Sequence, residues 1–136
     1  MLAIVMNPSP DPAAGAAHPT SQPGDRGVRV VFTTFPTLEV ARQVGTQLVD
    51  RRLVACVNLI PSIESIYRWQ GAVEQDREVL AVCKTAGDRL DELRRALLEL
   101  HPYDVPELLV LEVTDGAPDY LAWVLAETRG AAEPTG

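Results

Sequence analysis

This chain predicts an α+β domain with the element order βαββαβ and a closing helix, on three observations. Apolar residues switch repeatedly between a period of two and a period of 3.6 over residues 28–129, as strands and helices alternate. Proline or glycine stands at the switches, at Pro36, Pro61, Gly71, Pro102 and Gly116. The segment LVACVNLI is apolar on both faces, so a sheet covered on one side alone does not account for it.

Residues 28–35 (VRVVFTTF) are β-branched and aromatic and predict the first strand, broken at Pro36. Thr37 can cap a helix in which Leu38, Ala41, Val44 and Leu48 keep the helical period. Residues 53–60 predict a second strand stopped by Pro61. Residues 62–71 (SIESIYRWQG) then alternate and turn at Gly71, and residues 72–85 begin polar and end as a buried strand. Asp88 predicts the next N-cap, with Asp91 adding negative charge at the positive end of the helix. Leu90, Leu93, Ala96, Leu97 and Leu100 form its apolar stripe, down to a stop at Pro102. The loop 101–106 (HPYDVP) is stiffened by two prolines. Residues 107–113 are the next strand, and Pro118 suits the first turn of a short last helix.

This is the split βαβ, ferredoxin-like order: a sandwich with a long β2–β3 hairpin and both helices on one face of an antiparallel sheet. In the second strand Val54, Cys56 and Ile60 oppose Leu53, Ala55, Val57 and Leu59, so one apolar sheet face is left without a helix. An uncovered face of that kind predicts self-association. The hairpin from Leu53 to Thr85 is the element able to reach a neighbour by edge pairing.

Composition sets the outer limits. Residues 1–27 hold five of the 11 prolines and three glycines with no apolar period, and predict a disordered leader. Residues 130–136 predict a disordered tail, which leaves 28–129 as the folded domain. The 136 residues carry 19 acids against 12 bases, a net charge of −7, and 46% hydrophobic residues. That composition is globular, and its acidity argues against nucleic acid as a partner. Two cysteines make no disulfide framework and suit a reducing, cytoplasmic setting. No apolar run approaches the roughly 18 residues of a membrane helix, so no membrane partner is expected.

No phosphate-binding, dinucleotide, zinc-protease or serine-nucleophile motif is present, so an enzyme is not expected. Two constellations remain. Cys56, Cys83, His101 and Glu107, with Asp104 nearby, are the candidate metal ligands; a soft S/N set would prefer copper or zinc. Tyr67, Trp69, Glu78, Lys84, Tyr103 and Glu107 form the second set. Strand period places Tyr67 with Trp69, and Glu78 with Lys84. A charged pair on an apolar face is costly unless paired or solvated, which points to a pocket between subunits. Arg68 and Glu64 fall on the opposite face. Lys84 is the one lysine beside eleven arginines.

The runs LVACVNLIPSIESIYRWQG and ELHPYDVPELLVLEVTDGAPDYLAWV, with FTTFPTLEVARQVGTQLVDRRL and EVLAVCKT, strongly resemble the CutA family of divalent-cation tolerance proteins. The resemblance spans about residues 28–127. It implies a homotrimer built by the long hairpins, an architecture like that of PII-type signalling proteins, and binding of copper or another divalent metal. It carries Cys56 and His101 over as metal candidates, and Trp69, Glu78, Lys84, Tyr103 and Glu107 as positions of an intersubunit pocket; Cys83 stands where many members have an aliphatic residue. The leading expectation is therefore a trimeric protein that binds Cu2+ or Zn2+, with no cofactor required for folding. The alternative is a PII-like module that takes a small metabolite or a partner protein, with Lys84 and Arg68 holding an anionic group.

Overall fold

A computed structural model describes residues 25–129. The expected leader, apart from Asp25, Arg26 and Gly27, and the expected tail lie outside the described residues. Eight elements follow in order: β1 (Val28–Phe35), α1 (Leu38–Asp50), β2 (Cys56–Trp69), β3 (Ala72–Ala86), a single 3-10 turn (Gly87–Arg89), α2 (Leu90–Leu100), β4 (Leu109–Glu112) and α3 (Pro118–Glu127). The strands form one antiparallel sheet in the order β2-β3-β1-β4.

Alternation sorts the strand residues onto two faces. Val31 and Phe35 of β1, Val79, Ala81 and Cys83 of β3 and the partly buried Val57, Leu59 and Val110 turn toward α1 and α2. There they meet Ala41, Val44 and Leu48 of α1 and Leu90, Leu93, Ala96 and Leu97 of α2, the stripes expected from the helical period. Thr37 caps α1 by accepting from the Val40 amide at 3.2 Å. Across the sheet, α3 covers one corner through Val124, Leu121 and Leu125 against Val28 and Ala55. Among the described residues nothing covers the rest of that face: Ile60, Leu109 and Leu111 are 44%, 55% and 43% exposed. The open apolar face expected from the sequence is present, reduced by the corner that α3 takes.

Three expectations are corrected. Pro61 does not end the second strand: β2 runs through it to Trp69. β2 is an edge strand, where the missing amide costs no ladder bond, and a register shift between Ile60 and Ile63 absorbs Pro61 and Ser62, with Ser62 at φ 61°. That strand also begins at Cys56, since Leu53–Ala55 are a buried connection. Asp88 does not cap α2; it lies in the 3-10 turn, its carboxylate taken by Arg26 at 2.6 Å, and the cap position Arg89 makes no side-chain cap.

β1 pairs with β3 only from Val79 to Ala86. Beyond it, Ile63–Trp69 and Ala72–Glu78 pair with each other alone. They form a two-stranded arm about 20 Å long, at roughly 3.3 Å per residue. Gln70 and Gly71, at φ 49° and 81°, close the arm in the left-handed conformation that a two-residue hairpin turn requires.

Candidate functional site

The register shift decides which arm residues join the open face. Ile63 pairs with Glu78 and Tyr67 with Glu74, so Ile63, Ser65, Tyr67 and Trp69 share the face of Glu74, Asp76 and Glu78. Glu64, Ile66 and Arg68 take the other face, as the sequence period placed Glu64 and Arg68. The base of the arm is closed by the loop after α2, which brings Tyr103 and Glu107 against Glu78.

Glu78 and Tyr103 are 4% and 5% exposed, and the Tyr103 hydroxyl donates to Glu78 Oε2 at 2.8 Å. Burial raises the Tyr103 phenol well above its ordinary range, and the bond to Glu78 adds to the rise. The Glu107 carboxyl is raised too, by burial first and then by the negative charge of Glu78. Further out, the Tyr67 hydroxyl donates to Asp76 Oδ2 at 2.5 Å, which holds the Asp76 carboxyl below its usual value and, after burial, raises the Tyr67 phenol. Tyr67, Asp76, Glu78, Tyr103 and Glu107 thus form one acidic and phenolic cluster. Trp69 shares the face at the arm's tip, opposite Ala72.

His101 orders this cluster from behind. It follows the last residue of α2 in extended conformation (φ −78°, ψ 137°), as the residue before a proline must. Its Nδ1 accepts from the Tyr103 amide at 3.1 Å, which leaves Nε2 to donate to the Thr34 carbonyl at 2.8 Å. The ring stacks on Phe35 with centroids 4.6 Å apart. Burial lowers the His101 pKa, partly offset by the Thr34 carbonyl and Glu78. His101 is a neutral, fully bonded corner, and both ring nitrogens are spent within the chain.

That geometry corrects the expected metal set. Cys56 pairs with Lys84 and Val57 with Cys83, so the two cysteines sit on opposite faces of the sheet. Cys83 is 1% exposed in the helix-side core, and burial pushes its thiol up to about 12. Cys56 faces the Tyr120 hydroxyl of α3 at 3.6 Å. Among the described residues no group of three or more His, Cys, Asp or Glu side chains is placed to hold a metal ion. A Cys–His site from Cys56, Cys83, His101 and Glu107 therefore does not fit this protomer.

The expected pocket divides as well. Glu78, Tyr103, Glu107 and Tyr67 come together. Lys84 does not join them: it shares the face of Glu78 but lies six residues along β3, about 20 Å away, and it donates to Asn58 Oδ1. Glu78 and Lys84 are separate, each with its own neutral partner. Sequence reasoning missed four partners: Asp76 of Tyr67, Asn58 of Lys84, Thr34 of His101 and Tyr120 of Cys56. Asp76 was within reach, since counting back from Gly71 puts it diagonally across from Tyr67; the others depend on contacts far apart in the chain.

Residues 29–127 match the family described as CutA1 divalent ion tolerance protein. The chain belongs to the CutA1 family. The divalent-cation tolerance protein CutA of Thermus thermophilus is 44% identical over 99 residues, covering 73% of this chain and 96% of that one. Protein CutA of mouse is 43% identical over 123 residues, 90% of this chain and 67% of that protein. Among solved structures, CutA1 from Oryza sativa superposes with a TM-score of 0.75 at 37% identity, covering 77% of this chain and 96% of the other. The Thermus thermophilus protein gives 0.73 at 43% identity, with 75% and 99% covered. The CutA1 match begins at Arg29, within β1, and ends with α3. Among the described residues no helix is long and apolar enough to cross a membrane.

Proposed function

We propose that the chain assembles as a homotrimer and binds divalent cations, copper among them, in the cation-tolerance role for which its relatives are named. The observation that carries this reading is the open sheet face. Its exposed Ile60, Leu109 and Leu111 run on into an arm of two strands, which alone would be marginal in water. A neighbouring protomer seated there would bury both and enclose the acidic cluster at the arm's base. Because the Cys–His set does not converge, the cation is cargo held at that boundary by Glu78 and Glu107; carboxylate oxygens can hold copper or zinc, without the preference for them that sulfur and imidazole would give. A reducing cytoplasm suits two thiols that face away from each other.

Light scattering with copper and zinc titrations tests the proposal. The expected results are a species of three times the chain mass, about tenfold weaker cation binding in Glu107→Gln, and unchanged binding in His101→Asn. A monomer at micromolar concentration would end the assembly proposal, and equal binding by wild type and Glu107→Gln would end the site. The PII-like alternative draws less support, since Lys84 and Arg68, the cations it needs, lie on opposite faces. A thermal-shift response to nucleotides or small acids would revive it.

A further inference from the structure

The short segment before β1 is bound into the domain at three points. The Arg26 guanidinium donates to Asp88 Oδ1 at 2.6 Å and to the Leu125 carbonyl, and stands 3.5 Å from Thr128 Oγ1. The Gly27 carbonyl accepts from the Gly87 amide at 2.7 Å, and Asp25 accepts from Arg29 at 2.8 Å. Arg26 thereby joins the turn before α2 to the C-terminal end of α3.

The C-terminal end of α3 is where a cation has most effect. The last carbonyls of a helix lack intrahelical donors and carry its partial negative charge. α3 has no basic residue in its own last turn, so Arg26 supplies from elsewhere what the helix does not encode. The helix is otherwise lightly held. Val124 is its one buried residue, and Tyr120 and Trp123 are 44% and 43% exposed. At the other end of α3, in its first turn, Tyr120 places its hydroxyl over the Cys56 thiol.

We propose that Arg26 is a latch for α3, and that the latched helix is a lid over the strand end carrying Cys56. Arg52 makes a second, longer contact to the Glu127 carbonyl at 3.4 Å from an exposed position, and it serves as the control. With the latch broken, α3 lifts while the sheet stays folded, and Cys56 becomes open to reagents. Salt acts in the same direction, because the Arg26 and Asp88 side chains are 32% and 23% exposed and so partly screened.

Amide hydrogen exchange on the full chain tests the latch, with thiol modification by a small disulfide reagent as second readout. In Arg26→Ala, and in Asp88→Asn, which breaks the same bridge, amides of residues 121–128 should exchange about tenfold faster. Those of β1 and β3 should hold their rates. Cys56 should modify faster while Cys83, in the core, does not; Arg52→Ala should change either readout by less than about twofold. Unchanged α3 exchange in both latch variants would overturn the proposal. So would equal acceleration in α3, β1 and β3, which reports global destabilisation. Faster α3 exchange with unaltered Cys56 modification would overturn the lid.

Discussion

Acidification should cost this protein stability through one histidine, by an amount that the ordinary histidine pKa bounds from above. The sequence has two histidines, His18 and His101; His18 lies outside the described residues. Folding keeps His101 neutral: it is buried, with Nδ1 accepting and Nε2 donating, and its pKa is lowered. The unfolded chain takes up a proton at the ordinary value near 6.5. The unfolded state therefore binds more protons as pH falls through that value. The His101 contribution is fully present above it and is lost below it. Between about pH 7.5 and about pH 5.5 the unfolded state gains up to about tenfold in statistical weight, or about 1.4 kcal/mol, if the native ring stays neutral throughout. His101→Asn provides the reference, because its Oδ1 can still accept from the Tyr103 amide in an Asx turn but nothing titrates. It gives up the Thr34 bond and the Phe35 stack, so it should be less stable at every pH, yet flatter between these two. Urea unfolding at a fixed protein concentration measures both slopes. Equal losses in wild type and His101→Asn would refute the reasoning, because the neutral corner would then not be the source of the acid sensitivity.

Two further outcomes follow from the same geometry. Tyr103→Phe removes the donor to a 96%-buried carboxylate and should destabilise by roughly 1.5–3 kcal/mol, read as a lower urea midpoint with unchanged slope; no change would mean that Glu78 finds another donor. Gln70→Gly should raise the melting temperature, because Gln70 sits at φ 49°, where a side chain costs about 1 kcal/mol that glycine avoids. A lower melting temperature would show that unfolded-state entropy outweighs this strain.

The fold was legible because its signals are local and agree with one another. β1, α1 and the arm turn could be read from branched residues, a threonine cap and a glycine, and each stands where its residues placed it. Pro61 misled because a proline's meaning depends on whether its strand is central or at an edge, which is a property of the sheet. Asp88 misled because two donors compete for its carboxylate, and the winner, Arg26, lies 62 residues away. In the candidate site, Glu78, Tyr103, Tyr67 and Glu107 were legible as a group. The error about Lys84 was one of distance: period two fixes the face and says nothing about how far along it two residues lie. The Cys–His set failed for a related reason. Cys56 and His101 were named by residue type, and type does not disclose that His101 has both nitrogens engaged by backbone groups.

The one-residue excess at Pro61 and Ser62 decides which side of the distal arm meets the acids. From Ile60 to Ile63 the chain takes three steps while its partner takes two, from Leu80 to Glu78. Plain alternation at the present length would pair Ser62 with Glu78 and Glu64 with Asp76, turning the distal half of β2 over. Tyr67 and Trp69 would leave the carboxylates, and Ile66 and Arg68 would take their places. Glu64 would arrive with Arg68, so the strip would lose its aromatic side chains while its net charge stayed the same. Deleting one residue at Pro61 or Ser62 would instead remove the bulge and leave Ile63 opposite Glu78, with both faces unchanged. The extra residue and the kink that absorbs it are thus matched: either one without the other would exchange one surface for its opposite.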